Sequence, residues 1–349
     1  MHKIKITSIT SIGEYLLARD VCPSRYLGDL GLPPSALLGS SLWLDRDACL
    51  RIADNLGSAT GDRFPGMHVA ELIDLRAYGL WSARILASKT VGEALHAAAD
   101  RINLIESGRL LRLSTQGDRA RLETGFLGEL GASPREYLDA SVVLLSRFVR
   151  LATERIPFEA HLAHERPADT SEIERLLGPN LVFDAEITAL VLDREALATP
   201  MDRRNIERVA SPAAKPEIAH WHTATAAARA VQEMASNGRP TIFAVAESLS
   251  MNVRTLQRHL AEWGVTFEQL LDDLLFHYAM IELRDEGRSV TDVAFDLGYS
   301  DSAHFTRAFK RWTGCTPRQF RAGDFSMPRG ITPLPIGQKC HQQVTAGPV

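Results

Sequence analysis

The C-terminal third of the chain carries one pattern twice, and this duplication constrains the fold more than any other feature. Val245-Ala246-x-x-Leu249 returns as Val293-Ala294-x-x-Leu297 at a shift of 48. Trp263-Gly264-Val265-Thr266-x-x-Gln269 is answered by Trp312-Thr313-Gly314-Cys315-Thr316-x-x-Gln319, with one residue inserted. Each copy reads as a short helix, a tight turn and a longer helix, over 242–249, 250–252 and 253–263, then over 290–297, 298–300 and 301–312. That arrangement is a helix-turn-helix. Gly298 suits the left-handed conformation that ends a helix, and Asn252 and Ser300 or Asp301 offer oxygens to cap the next one.

Helical spacing divides each longer helix into two faces. Val253, Leu256, Leu260 and Trp263 recur at intervals of three and four and must face a core, which leaves Arg254, Gln257 and Arg258 outside. In the second copy Phe305, Ala308, Phe309 and Trp312 point inward, leaving Ser302, Ala303, Thr306, Arg307 and Lys310 largely outward. Arg reads guanine and Gln reads adenine through paired hydrogen bonds, so these residue types suit a major groove.

The formal charge of −4 excludes a chain that coats nucleic acid indiscriminately, so any DNA contact must come from local clustering. Residues 301–321 contain Arg307, Lys310, Arg311, Arg318 and Arg321 against Asp301 alone. Residues 262–286 instead hold seven acidic side chains against Arg284, and phosphates should avoid that connector. A helix over 267–284 would span roughly 27 Å at 1.5 Å per residue. It could hold two readers for neighbouring major grooves, roughly 34 Å apart.

Val293-Ala294, Gly298-Tyr299-Ser300-Asp301, Phe305, Arg307, Phe309-Lys310, Gly314, Thr316-Pro317 and Phe320-Arg321 together resemble the signature of the AraC/XylS regulators. The likeness extends back through Leu256-Gln257-Arg258 to about Ile218. It implies a seven-helix DNA-binding fold and promoter DNA as partner. Carried onto this sequence, the base-facing positions are Arg254, Gln257 and Arg258 in the first unit, and Ser302, Ala303, His304 and Arg307 in the second. Lys310 and Arg311 complete the expected DNA-binding set. Ala303 departs from the polar residue usual there and can contact only a thymine methyl, which shifts the second unit toward phosphate grip.

At 349 residues the chain should hold about two domains. Ala210-Ser-Pro-Ala-Ala-Lys-Pro216 interrupts the patterned sequence and reads as a linker. The expected organisation is a sensing and dimerisation domain over 1–209, a linker over 210–217, the DNA-binding domain over 218–323 and a disordered tail over 324–349. Helical stretches near 11–19, 46–56, 90–106 and 134–154 mix with strand-like runs at 109–114, 119–126, 157–161 and 187–192. The fold class is therefore an α/β N-terminal sensor domain followed by an all-α C-terminal domain with two helix-turn-helix units and a connector helix.

Ser88-Lys-Thr-Val-Gly-Glu-Ala-Leu95, Gly178-Pro-Asn-Leu-Val-Phe183 and Leu197-Ala-Thr-Pro-Met201 resemble the arabinose-binding-type sensor domains of regulators related to ornithine-utilisation activators. That resemblance implies a small-molecule effector and a homodimer contact without naming the ligand. Arg204-Asn-Ile-Glu-Arg208 is similar to the R-x-x-x-R grip of PilZ-type domains on cyclic di-GMP, which makes that dinucleotide a candidate effector. The companion motif survives only as Ser114 and Gly117, with Arg112 at its first position. An amino acid or other small metabolite is the alternative effector.

The enzyme reading finds no G-x-G-x-x-G, P-loop, H-E-x-x-H or G-x-S-x-G, so no catalytic residue is expected. His161/His164 and His220/His222 lack further ligands at convincing spacing, and the four cysteines form no C-x-x-C, so no metal and no cofactor are expected. An interaction module would have to use the apolar face over Leu138–Leu151 and would leave the repeat unexplained. No secretory signal or membrane-spanning run appears, and a cytoplasmic location is expected. The expected role is that of a transcription activator engaging RNA polymerase.

Overall fold

The computed structural model describes residues 2–5, 11–32, 34–38, 43–153, 155–210, 222–235, 239–283 and 288–322. The expected linker from 211 onward and the expected tail lie outside the described residues. Strand β1 (Lys3–Lys5) is followed by α1 (Ser11–Leu17), α2 (Pro23–Asp29), a 3-10 turn over Pro34–Leu37 and β2 (Trp43–Asp45), which pairs antiparallel with β1. Next come α3 (Arg46–Asp54), α4 (Leu56–Thr60), α5 (Pro65–Leu72), α6 (Leu80–Ala87) and α7 (Val91–Asp100). Asp45 starts α3 by accepting from the backbone N–H groups of Asp47 and Ala48, and Thr90 starts α7 by accepting from that of Glu93.

A five-stranded sheet follows, built from β3 (Arg109–Gln116), β4 (Arg119–Phe126), β5 (Phe158–His161), β6 (Leu181–Val182) and β7 (Thr188–Asp193) in the order β3-β4-β7-β5-β6. Only β5 and β6 pair in parallel. The hairpin between β3 and β4 turns on Gly117 at φ 60°, the conformation that a two-residue type II′ turn demands at its first central position. Gly117 is thus accounted for by the turn, and Arg112, two strand positions before Ser114, pairs with Glu123 across the hairpin at 2.6 Å.

Helix α8 (Arg135–Arg150) packs over β4 and β7. Its Val142, Val143, Leu145, Phe148 and Val149 are buried, so the apolar face that sequence left open to a partner is turned into the chain's own core. Gly66 lets α5 approach α8 closely, since a Cβ there would lie 2.0 Å from the Glu136 carbonyl oxygen. Short helices α9 (Ser171–Leu177) and α10 (Arg203–Ala210) complete this half.

The C-terminal half is helical throughout its described residues: α11 (His222–Ala235), α12 (Ile242–Ser248), α13 (Val253–Glu262), α14 (Phe267–Glu282), α15 (Val290–Asp296), α16 (Ser302–Thr313) and α17 (Pro317–Arg321). These are the seven helices implied by the resemblance. Gly298 sits at φ 76° between α15 and α16, where a Cβ would lie 2.2 Å from the Arg239 backbone nitrogen. Ser250, its counterpart between α12 and α13, takes φ 53°. Gly298→Ala meets both left-handed strain and a backbone clash. It is expected to cost about 2 kcal/mol or more, read as a lowered denaturation midpoint; an unchanged midpoint would show that the loop relaxes freely.

Two buried clusters divide the molecule in a way the chain order does not suggest. One lies within 64–206, around α6, α7, α8 and the sheet. The other joins Ile4 to Leu56 with Ala224 to Phe320, so the first helices share a core with the DNA-binding half. Helix α1 is consequently buried along most of its length, from Ser11 to Leu16. No helix among the described residues is long and apolar enough to cross a membrane.

Candidate nucleic-acid interface

The first helix-turn-helix is α12 and α13, joined by a three-residue turn past Leu249. Asn252 Oδ1 caps α13 by accepting from the Thr255 N–H at 2.8 Å. Leu256, Leu260 and Trp263 are buried, which fixes the helix rotation. Arg254, Gln257 and Arg258 all stand exposed on the other side. None of the three makes a side-chain hydrogen bond or ion pair with another described residue, so their donors are available to an incoming ligand.

In the second unit Asp301 Oδ1 caps α16 by accepting from the His304 N–H at 2.6 Å. Phe305, Ala308 and Phe309 are buried, and Phe309 packs edge-on against Phe320 of α17. Ala303, His304, Arg307, Lys310 and Arg311 are exposed and Ser302 is half-buried. The structure therefore brings the expected residues of each unit to one exposed helix face, with two qualifications. His304 rests edge-on against Tyr299, with ring centroids 5.5 Å apart. Arg311 reaches back to the connector, its Nη2 lying 2.6 Å from Asp272 Oδ2, so its charge also braces α16 against α14.

Sequence reasoning missed Arg239, which lies just before α12 and outside the repeated segments. Its guanidinium stands 5.3 Å from the Tyr299 ring centre and 3.7 Å from Asp272 Oδ1. Arg239, Arg311, Ser300 and His304 line a cleft beside the N-terminus of α16. Two guanidiniums share one carboxylate there, which leaves a net positive charge and spare donors of the kind that hold a phosphate.

The two units are alike in sequence but differ in their surroundings. At the end of α16, Gly314 has open space where a Cβ would stand. At the end of α13, a Cβ on Gly264 would lie 2.1 Å from Ser24 Oγ and 2.5 Å from Cys22 Sγ. The Ser24 N–H donates to the Trp263 carbonyl at 3.2 Å, and the outer end of the Trp263 ring lies against Gly13 of α1. The N-terminal helices dock on the first reading unit and leave the second free of them at this position.

Of the expected effector residues, Arg204 and Arg208 are both exposed on α10, one helical turn apart. Arg204 lies 3.5 Å from Asp202, the residue that caps its backbone N–H at 2.9 Å. His68, Glu71 and Glu172 also come together, a group absent from the sequence reading. They are engaged elsewhere, His68 in hydrogen bonds with Asp62 and Glu172 and Arg175 in ion pairs with Glu71 and Glu172, which tie α5 to α9.

Two helix-turn-helix units on one rigid connector, each with an outward polar reading face, beside an α/β domain, define a ligand-regulated DNA-binding protein. Residues 21–201 match the family of the arabinose-binding domain of AraC transcription regulators, N-terminal, and residues 245–323 match a helix-turn-helix domain family. The chain belongs to the AraC family of transcription regulators. It is 27% identical over 278 residues to the ornithine utilization regulator of Pseudomonas aeruginosa, covering 75% of this chain and 79% of that one. It is 43% identical over 81 residues to the transcriptional activator RhaS of Escherichia coli, covering 23% of this chain and 29% of that one. The crystal structure of the transcriptional regulator CdpR from Pseudomonas aeruginosa aligns over 89% of this chain and 96% of that one, at 22% identity and a TM-score of 0.41.

Proposed function

We propose that this regulator activates transcription as a homodimer, reading promoter DNA with α13 and α16 and recruiting RNA polymerase when a small molecule occupies its N-terminal domain. The observation that carries the DNA-reading part is the unpaired, exposed Arg254-Gln257-Arg258 face opposite a buried Leu256-Leu260-Trp263 seam. Activation is supported by the likeness of the DNA-binding half to an activator. Retardation of promoter fragments, followed by transcription with purified RNA polymerase, tests both parts. The expected outcome is a footprint of about two helical turns per chain and an increased transcript yield. Transcript repression would overturn activation, and light scattering at working concentration reads the dimer.

Arg239 and Arg311 serve as a phosphate clamp in this reading. Arg239→Ala is expected to weaken binding to all sequences alike and to lower the slope of log affinity against log salt by about 1. A loss confined to one base position would instead make Arg239 a reader.

A second effector reading rests on α10, whose two exposed guanidiniums one turn apart could hold the phosphates and guanine edges of cyclic di-GMP. Titration of the full chain and of the Arg204→Ala/Arg208→Ala variant with cyclic di-GMP decides it. Saturable binding lost in the variant supports the reading, and no binding, or equal binding by the variant, ends it.

A further inference from the structure

The connector helix α14 sets one carboxylate against the two arginines of the cleft. Asp272 stands on the flank of α14 between buried Leu271 and Leu274, and its side chain is 24% exposed. Its Oδ2 accepts from Arg311 Nη2 at 2.6 Å, and its Oδ1 lies 3.7 Å from Arg239 Nη2. Arg311 comes from the exposed face of α16 and Arg239 from the segment before α12, so one acid joins three parts of the DNA-binding half. Glu282, on the same helix, is taken up instead by Arg288 ahead of α15.

Neither arginine needs Asp272 to keep its place. The Arg239 backbone is packed against Gly298, and its guanidinium stands 5.3 Å from the centre of the Tyr299 ring, which is 5% exposed. Arg311 rises from a helix whose rotation is fixed by buried Phe305 and Phe309. Both guanidinium side chains remain open to solvent, and an ion pair as exposed as theirs holds weakly and exchanges readily. A phosphate oxygen accepts from the same N–H donors as a carboxylate oxygen, with the same charge assistance. The two anions therefore compete for one pair of cations.

We propose that Asp272 is an internal competitor of the DNA backbone: it occupies Arg239 and Arg311 in the free chain, yields them to a DNA phosphate, and so restrains affinity for every sequence alike. The inference rests on the reading of Arg239 and Arg311 as a phosphate clamp and assigns the residue that sets its strength. With Asp272 the three groups carry one net positive charge, and without it the two arginines carry two. That charge decides how many condensed counterions the clamp displaces from DNA. Base preference is untouched, because Arg254, Gln257 and Arg258 lie on α13 and make no ion pair or hydrogen bond with this cluster. A regulator must leave bulk DNA to reach its site, and a built-in anion loosens the grip on phosphate without altering which bases are read.

Asp272→Asn tests the assignment, since Asn keeps the side-chain shape and an acceptor for Arg311 while removing the charge. Fluorescence anisotropy of a labelled promoter fragment and of a random-sequence duplex, over a range of salt, is the readout, with a melting curve as control. Asp272→Asn should tighten both complexes alike by about twofold to fivefold at one salt concentration, and steepen the fall of log affinity with log salt by about 1. The gain should disappear in the Arg239→Ala/Arg311→Ala background, where no clamp is left to free. Glu268→Gln removes an exposed charge one turn earlier on α14 and should give a smaller change.

Unchanged binding by Asp272→Asn, a gain that survives loss of both arginines, or an equal gain from Glu268→Gln overturns the proposal. Weaker binding with a lowered melting midpoint overturns it too, and makes Asp272 a brace for α16. The clamp is read separately from the competitor. Lowered salt slopes in Arg239→Ala and Arg311→Ala beside an inert Asp272→Asn sink the competition alone, whereas unchanged slopes in both arginine variants remove the clamp and the competition with it.

Discussion

Replacing Arg254 and Arg258 together by alanine is expected to lower affinity for the specific site by about 2–6 kcal/mol, that is, about 1–3 kcal/mol for each lost bidentate base contact. The operator should weaken by about thirtyfold at the least, while binding to a scrambled duplex, held by phosphate contacts, changes far less. The fold should be unaffected, because both side chains are exposed and neither pairs with another described residue. Fluorescence anisotropy on both duplexes at one salt concentration, with a melting curve as control, reads the difference. Equal losses on the two duplexes would mean that these arginines grip backbone rather than bases. Gln257 sits between them on the same face, so Gln257→Ala should relax the preference at one base pair while leaving the salt slope unchanged.

The second large effect lies far from DNA. A Cβ on Gly13 would stand 2.0 Å from the Trp263 ring, inside any allowed contact, and the ring is 1% exposed with no space to yield. Gly13→Val therefore forces α1 and the first reading unit apart. The expected results are a red shift of tryptophan fluorescence as Trp263 meets water and a stability loss of about 1–3 kcal/mol from overpacking. Unchanged fluorescence and an unchanged melting midpoint would show that α1 and the first reading unit rearrange without cost. Gly264→Val attacks the same interface from the other side through Ser24 and Cys22, and should reproduce the phenotype. Gly314→Val, at the equivalent place in the second unit, meets open space and should show only its local left-handed strain.

Much of the C-terminal half was legible because its information is local. Spacings of three and four in 253–263 and 302–312 set which side chains are buried, and a helix rotation fixed by Leu256, Leu260, Phe305 and Phe309 leaves the reading residues nowhere to go but outward. The connector helix ends at Glu282, two residues short of the expected Arg284, a normal uncertainty at a helix end. Strand β4 matched its expected span because alternation over Arg119–Phe126 is a half-buried sheet pattern. Helices α2, α5, α6 and α9 were not foreseen. Each is seven or eight residues long, too short for an apolar period to stand out, and each forms because tertiary packing supports it.

Arg239 escaped notice for a different reason. It has no counterpart in the repeat, and only the packing of Gly298 against its backbone brings it beside Arg311 and Asp272. Arg311, expected to bind DNA, likewise acquired a structural partner that no local spacing could announce.

By itself the amino-acid order determined two duplicated helix-turn-helix units, the outward faces of their second helices, a mixed α/β half before them and the family these features resemble. All of that follows from periodicities of two and 3.6 residues and from turn chemistry, which act within a few neighbours. Tertiary structure alone decided that α1 packs against Trp263, that Glu106 is buried beside Arg109, and that the two like units stand in unlike surroundings. Those outcomes depend on contacts between residues some 250 positions apart, such as Gly13 with Trp263, and only the closing of a common core selects them.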